Sequence, residues 1–141
     1  MLQDGMESRV CNTAVPYSGL VVYLLSTGNV DLATSATHVY GVCLRSTEEF
    51  VSGVWTAQAS KPVTIQFEGV AVVRCDATHT AIAIGDPVKM DTAGYVNVGT
   101  FATPPTLAEL QNHVGIALSA LALNTAGTVK VRLCMLRGVH S

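Results

Sequence analysis

Apolar and polar residues nearly alternate through AIAIGDPVKMDTAGYVNV, residues 81–98, and a weaker copy of that pattern, SGLVVYLLSTGNVDL, occupies residues 18–32. Alternation of this kind puts one face of a strand in a core and the other outside it. The two stretches share a spacing. Gly19 and Gly85, Gly28 and Gly94, Val30 and Val96, and Leu32 and Val98 are each 66 residues apart. VTIQF from Val63 matches VKVRL from Val129 at the same offset, and HVYGVCL (38–44) resembles HVGIAL (113–118) at an offset of 74, with Gly41 over Gly115. The second half carries eight extra residues before this last segment and the first half eight after it, around STEEFVSGVWTAQ. Insertions in loops, with strands kept in step, are what a duplicated strand unit leaves behind. Neither half can close its edges alone. Two together can wrap into a small barrel or a pair of packed sheets.

The spacing of Val-, Ile- and Thr-rich runs predicts strands over 20–25, 29–32, 38–45, 63–67, 69–75, 81–83, 87–90, 95–98, 113–119 and 128–136. STGN (26–29), DTAG (91–94) and NTAGT (124–128) read as turns, with Gly where φ must be positive. One short helix is expected in PPTLAELQN, where Thr106 precedes Glu109 at capping-box spacing. STEEF (46–50) has the same Ser-x-x-Glu spacing and predicts at most one helical turn. The fold expected is therefore all-β, one domain over 17–141 with a pseudo-repeat of 17–75 and 83–136. Residues 1–16 lie outside the repeat as an N-terminal arm, which either adds to a neighbour's sheet edge or serves as an edge strand of its own domain.

Composition narrows the function. The 141 residues suffice for one domain with a core. A net charge of −2 leaves no basic footprint for nucleic acid, and no apolar run approaches the ~20 residues of a membrane span. MLQDGMESRV lacks the basic and apolar regions of a signal peptide, so synthesis in a cytoplasm is expected. Charged residues make up 13% of the chain and hydrophobic ones 49%, against about 25% charged in a typical soluble protein. A small domain has a high surface-to-volume ratio, so low charge points to a surface covered by copies of itself or by a partner.

No constellation of catalytic residues emerges. Gly85-Asp86-Pro87 reads as a turn: Gly supplies an unusual φ, Asp bonds nearby backbone and Pro fixes φ. Asp86 as a general base would need a partner that is not local. His38 and His113 occupy nearby places in the two halves and either meet to bind a metal or cap strand ends, the blander reading. Asp76 and His79 have no nucleophile with a motif beside them. Cys11, Cys43, Cys75 and Cys134 have no zinc-ligand spacing and read as buried thiols. No cofactor or metal is expected. Trp55, with Phe50 nearby, is either an interface anchor or a core residue.

The stretch FEGVAVVRCDATHTAIAIGDPVKMDTAGYVNV, followed by HVGIALSALALNTAGTVKVRL, resembles the small capsid decoration (cement) proteins of tailed bacteriophages. The resemblance rests on Glu68-Gly69-Val70, Gly85-Asp86-Pro87-Val88, Ala93-Gly94, Gly115-Ile116-Ala117-Leu118 and Gly127 to Leu133, in that order. It covers about residues 63–136, and the first half more loosely. The arm and the FATPPTLAELQN insert depart from the family pattern. The resemblance implies a β-barrel or tulip-like domain acting as a homotrimer on the outer surface of the expanded capsid. There it would clamp neighbouring major capsid proteins, with no catalytic residues and no direct contact with nucleic acid or membrane. Leu2, Met6, Val10, Tyr17, Phe50 and Trp55 are the candidate capsid or subunit contacts, and deleting residues 1–15 should weaken attachment more than folding. The alternative is a non-catalytic β-barrel binding module, such as a tail or baseplate component or a carbohydrate binder.

Overall fold

A computed structural model describes residues 5–135. Twelve strands and one helix follow in the order β1 (Met6–Cys11), β2 (Val21–Leu24), β3 (Val30–Leu32), β4 (Val39–Cys43), β5 (Glu48–Val51), β6 (Val54–Ala57), β7 (Lys61–Gln66), β8 (Val70–Cys75), β9 (Pro87–Thr92), β10 (Tyr95–Val98), α1 (Leu107–Asn112), β11 (His113–Ala117) and β12 (Gly127–Leu133). The chain is all-β, as the alternation predicts. One set of strands closes into a barrel of order β1-β3-β2-β4-β7, and a second forms a five-stranded sheet of order β10-β9-β11-β12-β8. A two-stranded hairpin, β5-β6, stands apart from both.

The two five-stranded units repeat the same pairings residue by residue, although the first closes into a barrel and the second is a sheet. Val22 faces Leu32 and Leu24 faces Val30 in the first; Val88 faces Val98 and Met90 faces Val96 in the second. Val22 opposes Gly41 and Tyr23 opposes Val39, across an irregularity in β4. Val88 likewise opposes Gly115 and Lys89 opposes His113, across an irregularity at the same place in β11. Val42 pairs with Gln66 and Ile116 with Arg132. These pairs preserve the offsets of 66 and 74 found in the sequence.

The boundaries of the repeat differ from those expected. Met6 pairs with Gln66 and Cys11 with Lys61 along β7. Val70 pairs with Arg132 and Cys75 with Gly127 along β12. Once β7 is superposed on β12, β1 falls on β8 at an offset of 64. The segment read as an arm outside the repeat therefore supplies the first strand of the first unit, and β8 opens the second unit instead of closing the first. Cys11 bridges in parallel to Val30, which closes the first barrel, and Cys11 and Val15 are fully buried in its core. Residues 6–15 are thus built into their own barrel, so deleting residues 1–15 should damage folding itself.

Alternation along the strands divides the side chains between two cores. Val22, Leu24, Tyr40 and Cys43 point into the first barrel with Val30, Val63 and Ile65. Their neighbours Val21, Val39 and Val42 point the other way, into a core shared with Val73, Val88, Met90, Val129 and Val131 of the second unit. All five residues of β4 are buried because both of its faces are covered. The β9-β10 turn locks the units together. Val21 N donates to Gly94 O at 2.9 Å, and Gly94 N donates to Ala33 O at 2.8 Å. Gly94 has φ of 85°, and a Cβ there would lie 2.9 Å from Leu20 Cβ, so only glycine fits.

The insert expected to be helical contains α1. Thr106 accepts from Glu109 N while the Glu109 carboxylate accepts from Thr106 N, a complete capping box. The Ser-x-x-Glu spacing of STEEF misled. Residues 48–51 form strand β5, because they pair with β6 around a Ser52-Gly53 turn whose residues both have positive φ.

Candidate functional site

Part of the exposed apolar surface stands on the β5-β6 hairpin, outside both cores. Within the hairpin, Phe50 is paired with Trp55 and Val51 with Val54. The Phe50 and Trp55 rings meet edge to face with centroids 5.5 Å apart, a favoured geometry for aromatic pairs. All four side chains are exposed: Phe50 63%, Val51 45%, Val54 62% and Trp55 65%. Trp55, which the sequence left between core and interface, is therefore a surface residue. At the hairpin's root, Lys61 Nζ lies 3.1 Å from Glu49. A cleft of about 390 Å³ is lined by Arg45, Ser46, Glu48 and Trp55. A second, of about 270 Å³, includes Glu49, Lys61 and Pro62.

The other candidate contacts are scattered. Val10 lies opposite Pro62 in the ladder and is exposed, so it adjoins the second cleft. Met6 is half-buried opposite Gln66. Tyr17 is exposed but stacks under Arg74, whose guanidinium carbon is 4.7 Å from the ring centroid. Leu2 lies outside the described residues. Only Phe50 and Trp55 are brought together. The sequence reading missed Val51 and Val54, although the run FVSGVW carries the signal: a Ser-Gly turn between two apolar pairs. It also missed exposed apolar residues on the second unit, among them Ile84, Leu107 and Leu123.

The titratable groups serve the fold. Asp86 Oδ2 accepts from Ala83 N at 2.8 Å, which fixes the turn before β9. Asp76 accepts from the Thr78 backbone and hydroxyl. His79 is buried, with each ring nitrogen 2.6 Å from a backbone carbonyl oxygen, of Thr80 and of Thr125. His113 Nε2 lies 3.1 Å from Cys134 Sγ, and its Nδ1 is buried without a hydrogen-bond partner. Desolvation holds the His113 pKa below the usual histidine value. Among the described residues no three His, Cys, Asp or Glu side chains gather as metal ligands. Burial pushes the thiol of Cys43 up to about 12 and that of Cys75 to about 11, while Cys134, expected to be buried, is exposed. Among the described residues no helix is long and apolar enough to cross a membrane.

A duplicated five-stranded β unit, closed into a barrel in the first copy and a sheet in the second, carries a projecting apolar hairpin and has the form of a binding protein of structural type. Residues 3–133 match the family described as structural cement protein (E217 gp24/Pam3 gp6), and the chain belongs to that family of phage structural proteins. Its fold is similar to that in the crystal structure of the head fiber gp8.5 N base in bacteriophage phi29. The TM-score is 0.57 at 12% identity, with 94% of this chain and 98% of that chain covered. Among curated proteins, no sequence matches this one.

Proposed function

We propose that this protein binds the outside of the expanded phage capsid and clamps neighbouring major capsid proteins, without catalytic activity. Membership of the cement family over residues 3–133 carries the reading. The low charge of the chain and its exposed Phe50–Trp55 pair support it, since partly covered surfaces and aromatic anchors are features of interfaces. The mechanism is mass action: a ligand that binds the assembled shell and not its separated subunits stabilises the shell by its binding free energy. Many copies on one particle multiply a modest energy per copy. The family resemblance adds a homotrimer as the working form. Sedimentation of a phage lysate through a density gradient tests the proposal. The protein is expected to travel with full, expanded capsids in stoichiometric amounts and to be absent from unexpanded shells. If it stays at the top of the gradient as a small free species, the capsid role fails.

A further inference from the structure

We propose that the β5-β6 hairpin is a two-faced wedge. Resting on the capsid reading above, the proposal is that the tip inserts into a seam between two neighbouring capsid-protein subunits. Phe50 and Trp55 would touch one subunit, and Val51 and Val54 the other.

Residues directly opposite in an antiparallel pair share a face, and successive residues alternate faces. Phe50 and Trp55 are opposite one another, and so are Val51 and Val54. The tip is therefore apolar on both sides. A hairpin that lay flat on one partner would need only one apolar face and would keep the other polar. Neither face here is turned to the protein's own barrels, since all four side chains are exposed. At the root the cleft beside Glu48 and Trp55 adjoins the one beside Glu49 and Lys61, with Arg45, Ser46 and Glu48 lining both. Residues 50–57 carry no charge, while Arg45, Glu48, Glu49 and Lys61 sit at the root. An uncharged tip behind a charged collar is the anatomy of an interface centre and its rim. The Ser52-Gly53 turn, with φ of 51° and 82°, fixes the two strands with the twist a two-residue hairpin needs, so the tip is preorganised for insertion.

Area argues against a second copy held by the tip alone. The exposed part of these four side chains is on the order of 450 Å², below the ~800 Å² per partner of a stable complex. A tip this small holds only when other contacts on the same lattice assist it.

The test uses capsids prepared without this protein and two double variants, Phe50→Ser/Trp55→Ser and Val51→Thr/Val54→Thr. Each is expected to lower the affinity for capsids about 10-fold or more while leaving the melting temperature unchanged, because the tip lies outside both cores. Photo-crosslinkers in place of Phe50 and of Val54 should then attach to two different regions of the capsid protein. Loss from one double variant only, or crosslinks to a single region, would overturn the wedge and leave capsid binding standing. Unchanged binding by both variants would exclude the hairpin as a contact. Concentration-dependent self-association abolished by either double variant would assign the tip to a second copy. Failure of the unaltered protein to bind capsids would remove the capsid reading and the wedge with it.

Discussion

The first and second units share strand order and register, yet they differ in what fills them and what covers them. In the first barrel Glu7, Arg9 and Tyr40 face inward: Arg9 Nε is 3.1 Å from Glu7, the Tyr40 hydroxyl donates to Glu7, and Arg9 Nη1 donates to Gly28 O at 2.8 Å. Their counterparts in the second unit are Ala71, Val73 and Val114, all buried in an apolar core. The outer faces differ too. Val21, Val39 and Val42 of the first unit are covered by the second. The equivalent positions in the second unit are Pro87, His113 and Ile116. Pro87 has no N–H to offer where Val21 N binds the next unit's turn. The insert lies here instead, with Phe101 against the His113 ring at 5.2 Å and Gly99 N bonded to Pro87 O at 2.7 Å. The insert so occupies the face that in the first unit packs on the second.

The largest effect is expected at β1. Deleting residues 1–15 removes a whole strand of the first barrel together with the buried Cys11 and Val15, and should cost ~5 kcal/mol or more, comparable with the whole stability of a small domain. Loss of a cooperative thermal transition is the expected result; a folded truncation would show that the first unit does not need its counterpart of β8.

The paired glycines come next. A Cβ at Gly115 would meet Arg132 O at 2.1 Å, whereas at Gly41 it would meet the Ile65 Cγ2 methyl at 2.2 Å and Gln66 O only at 3.0 Å. Backbone cannot give way as a side chain can. Gly115→Ala should therefore cost about 4 kcal/mol and Gly41→Ala about 2 kcal/mol, a difference that denaturant titration measures.

A smaller effect sharpens the contrast between the interiors. Arg9→Val leaves the half-buried Glu7 carboxylate without its ion pair and should cost about 1–2 kcal/mol. Adding Glu7→Ala, which completes the side-chain pair found in the second unit, should recover part of that loss; a double-mutant cycle reads the coupling.

The smallest effect concerns the covered outer face. Because the folded pKa of His113 lies below the unfolded value of 6.5, the unfolded chain binds more protons as the pH falls through that value. Stability should be fully present above about 6.5 and decline below it until the folded pKa is passed. His113→Gln should remove this part of the pH dependence of thermal melting.

Legibility in the sequence followed chemistry. Gly28/Gly94, Val30/Val96 and Gly41/Gly115 announced the repeat because turns and inward strand positions demand the same residue types in both units. That residues 6–11 form a strand of their own domain was one of the two readings of the arm, but its place in the repeat went unseen because Glu7 and Arg9 replace Ala71 and Val73 at its inward positions, so register links it to β8 where resemblance does not. STEEF escaped because a local capping pattern competes with pairing to a strand that lies beyond the turn. Val51 and Val54 were overlooked because a short apolar run reads as core until its neighbours are known.

The all-β class, the duplicated strand unit, the turn at Gly85-Asp86-Pro87 and the short capped helix follow from the order of residues alone, since each rests on periodicity or on contacts within a few residues. Tertiary structure decided that the N-terminal segment closes the first barrel, that both faces of β4 are buried and that the Phe50–Trp55 hairpin is left outside both cores. Those outcomes depend on which strands meet across the chain, and the free energy of closing edges and burying faces is settled only when they do.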